Sequence, residues 1–379
     1  MKKIKFDNIL NINKDSDMGK IDFPLLITII VLLCIGIIMV SSASSYSALA
    51  NYDNSNYFLT KQLGFAIFGV ICMLIISTID YRKYKKISYL FFGLALILMI
   101  LVLTPLGVSV NGAKRWLGIG DFFTFQPSEI MKVALVLATA TYISTNYKKL
   151  DSFKGYIVPI CFLAVVGIIM YLQDHLSGMI VMGVASISII FSSGIKIKLR
   201  YLIPLILIVV GLLAVFVFSD SYRLTRITAF LHPEEDIRGS NWQPAQSLYA
   251  LGSGEIFGLG LGQSRQKYLW LPEAQNDFIF SILGEELGLI GTASVVLIFL
   301  FFIYRGYKIA MSCKELYGSM LASGIVSVFA LQIFVNIAVV TSSIPTTGMP
   351  LPFFSYGGTA LFINLCTMGI LLNISRNCK

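Results

Sequence analysis

Ten long apolar stretches constrain the fold of this chain more than any other feature of its sequence. A helix needs about 20 apolar residues to cross the hydrocarbon core of a bilayer. Only 13% of the 379 residues are charged, whereas a soluble domain carries about 25%. Because so few charges cannot cover a water-facing surface, most of the chain must face lipid. The sequence predicts an all-α polytopic membrane protein with about ten transmembrane helices, near residues 23–40, 63–79, 89–106, 130–143, 156–171, 179–191, 202–218, 278–304, 319–340 and 359–374.

Lysine and arginine residues predict the orientation of these helices, because cytoplasmic segments are enriched in them. They collect in both terminal tails and in every second turn. Both termini are therefore predicted to be cytoplasmic, with tails at 1–22 and 376–379 around one membrane domain at 23–375. A long extracellular loop, 219–276, would join helices 7 and 8. The net charge of +9 follows from this bias. No nucleic-acid partner is predicted, since the basic residues are scattered among short turns.

Two of the apolar stretches allow another interpretation. The first could belong to a cleaved signal peptide, since residues 42–44 and 48–50 resemble cleavage sites. Its apolar run is longer than a signal peptide's and follows a polar tail, so an uncleaved helix is favoured. The stretch at 179–191 is short and only a polar patch at 173–178 separates it from its neighbour. It could be re-entrant, although a full span fits the charge pattern better.

The six cysteines are predicted to be ordinary packing residues. All fall in apolar stretches or on the predicted cytoplasmic side, so none can easily form an extracellular disulfide. Their spacing matches no metal site. They are Cys34, Cys72, Cys161, Cys313, Cys366 and Cys378.

Chemistry is predicted on the outer face, because the longer segments between helices, 111–129, 219–276 and 342–358, lie there and reactive groups usually sit on loops held by a rigid scaffold. Within the long loop, 243–251 is predicted to form a short amphipathic helix on the membrane. The glycines at 252–262 look like a dinucleotide fingerprint, which has meaning only inside a βαβ unit. They are predicted instead to allow tight turns and close backbone approach, and no nucleotide is expected.

Charged residues beside apolar stretches are candidates for function, because they are costly in a membrane. Glu129 and Lys132 lie three apart at the predicted outer start of the fourth helix, on one face where they can pair. They could be a structural ion pair that caps the helix. Alternatively, Lys132 and Arg115, which is followed by Trp116, could bind the phosphates of a lipid headgroup, with Glu129 orienting Lys132.

Asp277 stands at the mouth of the eighth apolar stretch, close to Glu273. It could be the N-cap of that helix. It could equally be a general base with a raised pKa, or a metal ligand.

Glu285 and Glu286 lie about two turns into the same stretch. Adjacent residues do not share a helix face, so at least one carboxylate should meet a polar interior. A structural or coupling role is as well supported as a catalytic one. Asp174 and His175 form a smaller patch, and His175 is predicted to line an outer turn rather than to bind metal.

Three segments carry a resemblance to a known family across essentially the whole chain. They read NGAKRWLGIG followed by FQPSEIMK, then QSLYALGSGEIFGLGLGQSRQKYLWLPEAQNDFIFSILGEELGLIG, then PTTGMPLPFFSYGG. In content and order the sequence resembles the SEDS proteins (shape, elongation, division and sporulation), which include FtsW, RodA and SpoVE. The resemblance implies a ten-helix peptidoglycan glycosyltransferase that polymerises lipid II outside the bacterial plasma membrane.

The resemblance also assigns residues. Asp277 matches the family's essential aspartate, Arg115 and Trp116 match its RW pair, and Glu129 and Lys132 match its PSExxK pair. The loop peptides are more similar to the FtsW and SpoVE branch of division and sporulation than to the RodA branch.

One departure from the family pattern affects the mechanism. Gln275 and Asn276 stand where the family commonly has His and Thr. A mechanism that needs an imidazole at position 275 is therefore in doubt, because glutamine can form hydrogen bonds but cannot carry a proton.

The expected partners and cofactors follow from the resemblance. They are lipid II and the undecaprenyl-pyrophosphate-linked glycan, a class B penicillin-binding protein, and other divisome or sporulation proteins. A divalent cation, Mg²⁺ or Mn²⁺, is a candidate cofactor with Asp277 as its ligand. The alternatives are a lipid II flippase, which Glu285 and Glu286 keep open as charges inside the membrane, a noncatalytic scaffold, and a RodA-like polymerase.

Overall fold

A computed structural model describes residues 19–110, 113–119, 123–151, 153–194, 221–236, 239 and 241–378. In these ranges the chain forms eleven α-helices and one small sheet. The predicted helix at 202–218 lies outside the described residues, as does most of the tail at 1–22. The helices are α1 (Phe23–Tyr52), α2 (Tyr57–Ile76), α3 (Arg82–Leu103), α4 (Pro127–Thr145), α5 (Ile157–Leu172), α6 (Leu176–Ser192), α7 (Ser221–Leu231), α8 (Trp242–Ser253), α9 (Ile279–Ser312), α10 (Leu316–Val340) and α11 (Gly358–Asn377).

Each predicted apolar stretch within the described ranges coincides with a helix. Six of the described helices, α1, α2, α3, α9, α10 and α11, are long and apolar enough to cross a membrane. Helices α5 and α6 are shorter and apolar, and the 19 residues of α4 include two charged ones. A helical polytopic membrane protein is therefore confirmed. The number of spans and the orientation of the termini stay predictions. The long loop contains α7 and α8, and α8 matches the short helix predicted at 243–251.

The first helix extends further than its hydropathy predicts. Asp22 caps it by accepting a hydrogen bond from the backbone of Leu25 at 3.0 Å, and a proline occupies its first turn. The helix then continues through the serine-rich residues 42–50. Serine hydroxyls are tolerated there because they find acceptors, as when Ser44 donates to the carbonyl of Val40 at 2.6 Å.

A three-stranded antiparallel sheet follows α3, where the sequence predicts only an outer loop. Its strands are β1 (Gly107–Val110), β2 (Ala113–Ile119) and β3 (Phe123–Phe125), paired in that order. Val108 pairs with Trp116. The all-α prediction omits this sheet because strands of three to seven residues leave no periodic signal beside 20-residue apolar runs. The sheet holds Arg115 and Trp116 at fixed places beside the start of α4.

Helix α10 lies at the centre of the bundle, in contact with α4, α6, α9 and α11. The loop that follows it, residues 341–357 (the α10–α11 loop), is anchored in the same core. Phe353 of this loop is fully enclosed, and its ring lies 5.5 Å from that of Phe329 in α10 and 5.8 Å from that of Phe302 in α9. A loop pinned by a buried aromatic side chain can hold its polar residues at fixed positions.

Helix α9 is broken at Gly288, whose φ and ψ are 65° and −164°. Residues 255–260 of the long loop fill the break, through four backbone hydrogen bonds of 2.9–3.2 Å with residues 285–290. Irregular backbone inside a membrane protein is tolerated when other parts of the protein form hydrogen bonds with its polar groups. The predicted close approach at the glycines is confirmed, since a Cβ at Gly258 would lie 2.2 Å from the carbonyl oxygen of Glu286.

The prediction that all six cysteines are packing residues is wrong for two of them. Cys313, just after α9, and Cys378, just after α11, form a disulfide. The four others are unbonded. The pair is 65 residues apart in sequence, and the packing of two helix ends, which residue spacing does not reveal, brings the sulfur atoms together.

Candidate functional site

One end of the bundle contains a cavity of about 1010 Å³. The starts of α4, α6 and α11, the segment before α9 and the α10–α11 loop meet there. All of the residues predicted to be catalytic or to bind substrate line this cavity: Arg115, Trp116, Glu129, Lys132, Glu273 and Asp277. Three separate segments of the chain supply them, β2, α4 and the segment before α9, so the fold brings the predicted site together.

Glu129 and Lys132 form the predicted ion pair at the start of α4. The ammonium nitrogen of Lys132 lies 2.8 Å from a carboxylate oxygen of Glu129, and each residue is only 6% exposed. Glu129 lies in the first helical turn, where the helix dipole favours a negative charge. Lys132 is thus held in place at the cavity wall by an anion on its own helix face.

Arg115 links β2 to the turn between α5 and α6. Its guanidinium donates to the backbone carbonyl of Gln173 at 3.3 Å and to that of Asp174. These contacts to carbonyl oxygens hold the guanidinium of Arg115 against the turn between α5 and α6. Trp116, the next residue on the strand, lines the same cavity.

His175 lies in the turn that precedes α6, as the sequence predicts. Its Nε2 is 3.2 Å from the side-chain nitrogen of Gln126. Because an amide nitrogen donates, the imidazole accepts at Nε2. Burial, together with the charges of Arg115 and Lys132, lowers the pKa of His175 to about 3. The histidine is therefore neutral at pH 7 and adds no charge to the cavity.

Asp277 is half-buried in the cavity wall, two residues before the start of α9. The N-cap of α9 is Phe278, so the alternative that Asp277 caps this helix is wrong. Burial raises the pKa of Asp277 to about 6, and the nearby carboxylate of Glu273 adds to this effect, while Arg226 and Arg115 oppose it. Asp277 is thus a carboxyl whose proton affinity is suited to exchange near neutral pH.

Asn336 of α10 holds the backbone around Asp277. Its side-chain amide donates to the carbonyl of Asp277 at 2.8 Å and to that of Met349 at 2.8 Å. Sequence reasoning did not select this residue. A signal was present, because a polar amide in an apolar span is costly and commonly has a function.

The α10–α11 loop lines the cavity together with α4. Its backbone carbonyls accept hydrogen bonds from two neighbours: Arg226 of α7 donates to Thr346 at 3.0 Å, and Ser177 of α6 donates to Thr347 at 2.7 Å. Gly348 of the loop has a φ of +67°, and a Cβ there would lie 3.4 Å from a carboxylate oxygen of Asp277. The loop therefore faces the aspartate at close range.

Gln275, which departs from the family pattern, lies beside the cavity rather than in its lining. Glu273, Asn276 and Asp277 line the cavity, whereas Gln275 contributes its backbone carbonyl, which accepts a hydrogen bond from the amide of Tyr356 at 2.9 Å. The neighbouring carbonyl of Asn276 accepts from the hydroxyl of Ser355 at 2.6 Å. This stretch thus pairs with the α10–α11 loop through its main chain.

Glu285 and Glu286 lie apart from the cavity. Both are buried, with 1% and 0% exposure, and the prediction of a polar surrounding is confirmed for each. Glu286 is 3.2 Å from the ammonium nitrogen of Lys267, and Glu285 accepts hydrogen bonds from residues 264–266. Among the described residues, they belong to a cluster that fastens the long loop to α9.

The fold and its cavity define a class of protein: a polytopic membrane protein with charged residues gathered at one end of a helical bundle. The model of the cell cycle protein family FtsW/RodA/SpoVE matches residues 23–379. The chain therefore belongs to this family, the SEDS family that its motifs resemble.

Similar proteins and structures agree with this assignment. The chain is 45% identical to stage V sporulation protein E of Bacillus subtilis, covering 94% of this chain and 97% of that protein. It is 38% identical to a probable peptidoglycan glycosyltransferase FtsW of Trichlorobacter lovleyi, covering 97% and 96%. A solved structure, on the coordination of polymerization and crosslinking by a peptidoglycan synthase complex, matches with a TM-score of 0.77 at 23% identity, covering 94% and 98%. RodA of Thermus thermophilus matches with a TM-score of 0.68 at 24% identity, covering 94% and 97%.

Proposed function

We propose that this protein is a peptidoglycan glycosyltransferase that polymerises lipid II into glycan strands on the outer face of the cytoplasmic membrane. The observation that carries the proposal is the position of Asp277, a carboxyl of raised pKa, in one cavity with the cationic groups of Arg115, Lys132 and Arg226. Relatives named as peptidoglycan glycosyltransferase FtsW and as a sporulation protein support it.

In the proposed reaction, the 4-hydroxyl of the acceptor sugar attacks the anomeric carbon of the lipid-linked glycan. The new glycosidic bond forms as the bond to undecaprenyl pyrophosphate breaks, and that group leaves with the bonding electrons. Asp277 takes the hydroxyl proton, a role that contributes about 10²–10⁴-fold. A base with a pKa of about 6 is ionised at neutral pH and still holds a proton well. No nucleotide takes part, because the leaving pyrophosphate drives the reaction.

The cationic side of the cavity serves the leaving group. Arg115 and Lys132 would bind the pyrophosphate, whose charge grows as the bond breaks, and such preorganised groups act most strongly at the point where charge develops. Glu129 orients Lys132 at 2.8 Å. Trp116 lies beside Arg115 on the same wall and would contact the substrate, and Glu273 contributes by raising the proton affinity of Asp277.

A divalent cation remains part of the proposal. No group of three or more His, Cys, Asp or Glu in the described part of the chain could hold a metal ion. Mg²⁺ is commonly held by one or two carboxylates together with substrate phosphates. Asp277 and Glu273 would therefore hold Mg²⁺ or Mn²⁺ only with the pyrophosphate present, where the ion would add positive charge to the leaving group.

The partners are proposed by likeness to the relatives. One matched structure is that of a peptidoglycan synthase complex for polymerization and crosslinking. We extend that arrangement to this chain, with a class B penicillin-binding protein as the crosslinking partner and other divisome or sporulation proteins around it. The relatives named SpoVE and FtsW favour septal or spore wall synthesis in the plasma membrane of a bacterium over a RodA-like role in elongation.

The flippase alternative depends on Glu285 and Glu286 as polar groups along a path through the membrane. Both carboxylates are instead engaged by residues 264–267 of the long loop, and neither lines the cavity. This arrangement favours the polymerase.

Polymerisation of purified lipid II, by the purified protein with and without its cognate transpeptidase, tests the proposal. The wild type should make glycan, and folded Asp277→Asn should make at least about 100-fold less. Equal glycan from both would remove Asp277 from the mechanism. No glycan from either, with lipid II translocated across vesicles, would establish the flippase instead.

A further inference from the structure

A buried polar cluster lies at the base of the loop that carries Asp277, outside the cavity. It contains Lys267, Glu285 and Glu286 with two serines, Ser42 of α1 and Ser264 of the long loop. The three charged residues are 5%, 1% and 0% exposed, respectively. Charges inside a membrane protein are costly and persist only when they are paired and hydrogen-bonded.

Glu285 binds the start of the loop. One of its carboxylate oxygens accepts from the backbone amide of Arg265 at 2.9 Å, and the other from that of Gln266 at 3.3 Å. The hydroxyl of Ser264 donates to the same carboxylate. A single buried side chain of α9 thus satisfies three donors of a loop that has no regular hydrogen-bond ladder of its own.

Glu286 and Lys267 tie this loop to α1. The Lys267 ammonium lies 3.2 Å from Glu286 and 3.2 Å from the hydroxyl of Ser42, and it also donates to the carbonyl of Gly262. The Ser42 hydroxyl donates to the same carboxylate oxygen of Glu286. One carboxylate oxygen of Glu286 in α9 therefore accepts hydrogen bonds from both Lys267 of the long loop and Ser42 of α1.

The cluster attaches the segment that carries Asp277 to α9 a second time. Residues 264–267 are fastened to α9 at Glu285 and Glu286, and the chain returns to the beginning of α9 immediately after Asp277. Asn336 fixes the far end through the carbonyl of Asp277. The segment 264–277 is thus held at both ends by buried side chains, and a change at the near end can be transmitted to Asp277 along the chain.

We infer that Lys267, Glu285 and Glu286 are positioning residues. They fix the start of the segment 264–277, the Asp277 loop, and so hold Asp277 in place for catalysis. The inference rests on the proposed polymerase activity for its effect on rate, and on the contacts above for its effect on the loop. A displacement of about 1 Å in a reacting group can cost about 10²-fold in rate, even when the mutation lies far from the chemistry.

A second ion pair offers a matched control. Arg305 of α9 pairs with Asp22 at the start of α1 and is also largely buried. It joins the same two helices as the Lys267 cluster, but at the opposite end from Asp277. Breaking either pair leaves a carboxylate without its cation, so both changes destabilise the fold, whereas only one of them touches the Asp277 loop.

The test combines hydrogen exchange with kinetics in Lys267→Met and Arg305→Met. The amides of residues 265–267, which are bonded to the cluster, report on the loop. In Lys267→Met we expect their exchange to accelerate at least about 10-fold, with kcat for lipid II polymerisation lowered about 10- to 100-fold and KM changed less than about 3-fold. In Arg305→Met the melting temperature should fall while loop exchange and kcat stay near wild type.

Ser42→Ala provides a milder variant in case Lys267→Met does not fold. It removes the hydroxyl shared by Lys267 and Glu286 and leaves their ion pair in place, so a smaller change in the same direction is expected. Unchanged loop exchange and kcat in these variants, or an equal loss of kcat in Arg305→Met, would overturn the inference. A wild type that makes no glycan would refute the proposed function instead, and the exchange of 265–267 would still decide whether the cluster holds the loop.

Discussion

The side-chain amide of Asn336 donates a hydrogen bond to the backbone carbonyl of Asp277, with 2.8 Å between nitrogen and oxygen. The same amide donates to Met349 at 2.8 Å, and Asn336 is 1% exposed. One residue of the central helix therefore sets the spacing between the segment that carries the proposed base and the loop that faces it.

Replacement of Asn336 by leucine should disturb both segments. It leaves two carbonyls without their donor, at a cost of about 1–3 kcal/mol for each buried group, and we expect kcat to fall at least about 10-fold. Asn373→Leu is the control, because buried Asn373 likewise bridges backbone groups, at Ser77 and Tyr81, on the opposite side of the bundle. It should lower the melting temperature and spare kcat. Equal kcat losses in the two variants would assign Asn336 a purely structural role.

The pKa of Asp277 predicts the pH dependence of polymerisation. Because burial raises it from 3.8 to about 6, the ionised base is lost as pH falls through about 6, and the rate at pH 5 should be about one tenth of that at pH 7. Two variants should move this limb in opposite directions. Glu273→Gln removes a raising charge and should shift it to lower pH, while Arg226→Gln removes a lowering charge and should shift it to higher pH. A rate that stays flat down to pH 5 would contradict the assignment.

The same raised pKa predicts that the base costs stability. A carboxyl with a higher pKa in the folded state favours the folded state most below pH 3.8, and this contribution is lost as pH rises through about 6. At pH 7 the ionised Asp277 should therefore destabilise the fold by about 1–3 kcal/mol. Asp277→Asn should melt at a higher temperature than the wild type at pH 7, with the difference gone at pH 4. A lower melting temperature at pH 7 would show that the carboxylate is stabilised by its neighbours.

The parts of this site that could be predicted are those that stand out against an apolar background. Asp277, Glu273, Glu129 and Lys132 are charges beside apolar runs, and the cost of such charges marks them for function. Spacing alone was enough for the ion pair of α4, because residues three apart share a helix face. The helices could be predicted for the same reason, since each is a long apolar run.

The remaining features depend on contacts between distant parts of the chain. Arg226 reaches the cavity from a helix within the long loop, and Lys267 meets Ser42 across 225 residues of sequence. The disulfide of Cys313 and Cys378 joins two helix ends in the same way. The spacing of residues along the sequence does not predict such long-range contacts. The sheet at 107–125 escaped prediction because its strands are too short to show a period.

Variants of the Glu129–Lys132 pair can distinguish a structural role of Lys132 from a role in substrate binding. Lys132→Met leaves the buried carboxylate of Glu129 unpaired, at about 3–5 kcal/mol, so loss of activity in that variant alone is ambiguous. The double variant Glu129→Gln/Lys132→Met removes both charges and should recover most of the lost stability. If Lys132 binds the pyrophosphate, polymerisation should stay about 100-fold below wild type. Recovery of activity together with the melting temperature would make the pair a structural one.

Gly348 should be needed for the space beside Asp277 as well as for its backbone conformation. Its φ is +67°, which costs any other residue about 1–2 kcal/mol, and an added Cβ would lie 3.4 Å from the Asp277 carboxylate. Gly194, after α6, has a φ of +69°, and no atom of the described residues lies within 4 Å of an added Cβ, so Gly194→Ala carries the backbone cost alone. Both alanine variants should lose similar stability, and kcat should fall at least about 10-fold only in Gly348→Ala. If both variants retained wild-type kcat, the approach of the α10–α11 loop to Asp277 would have no part in the reaction.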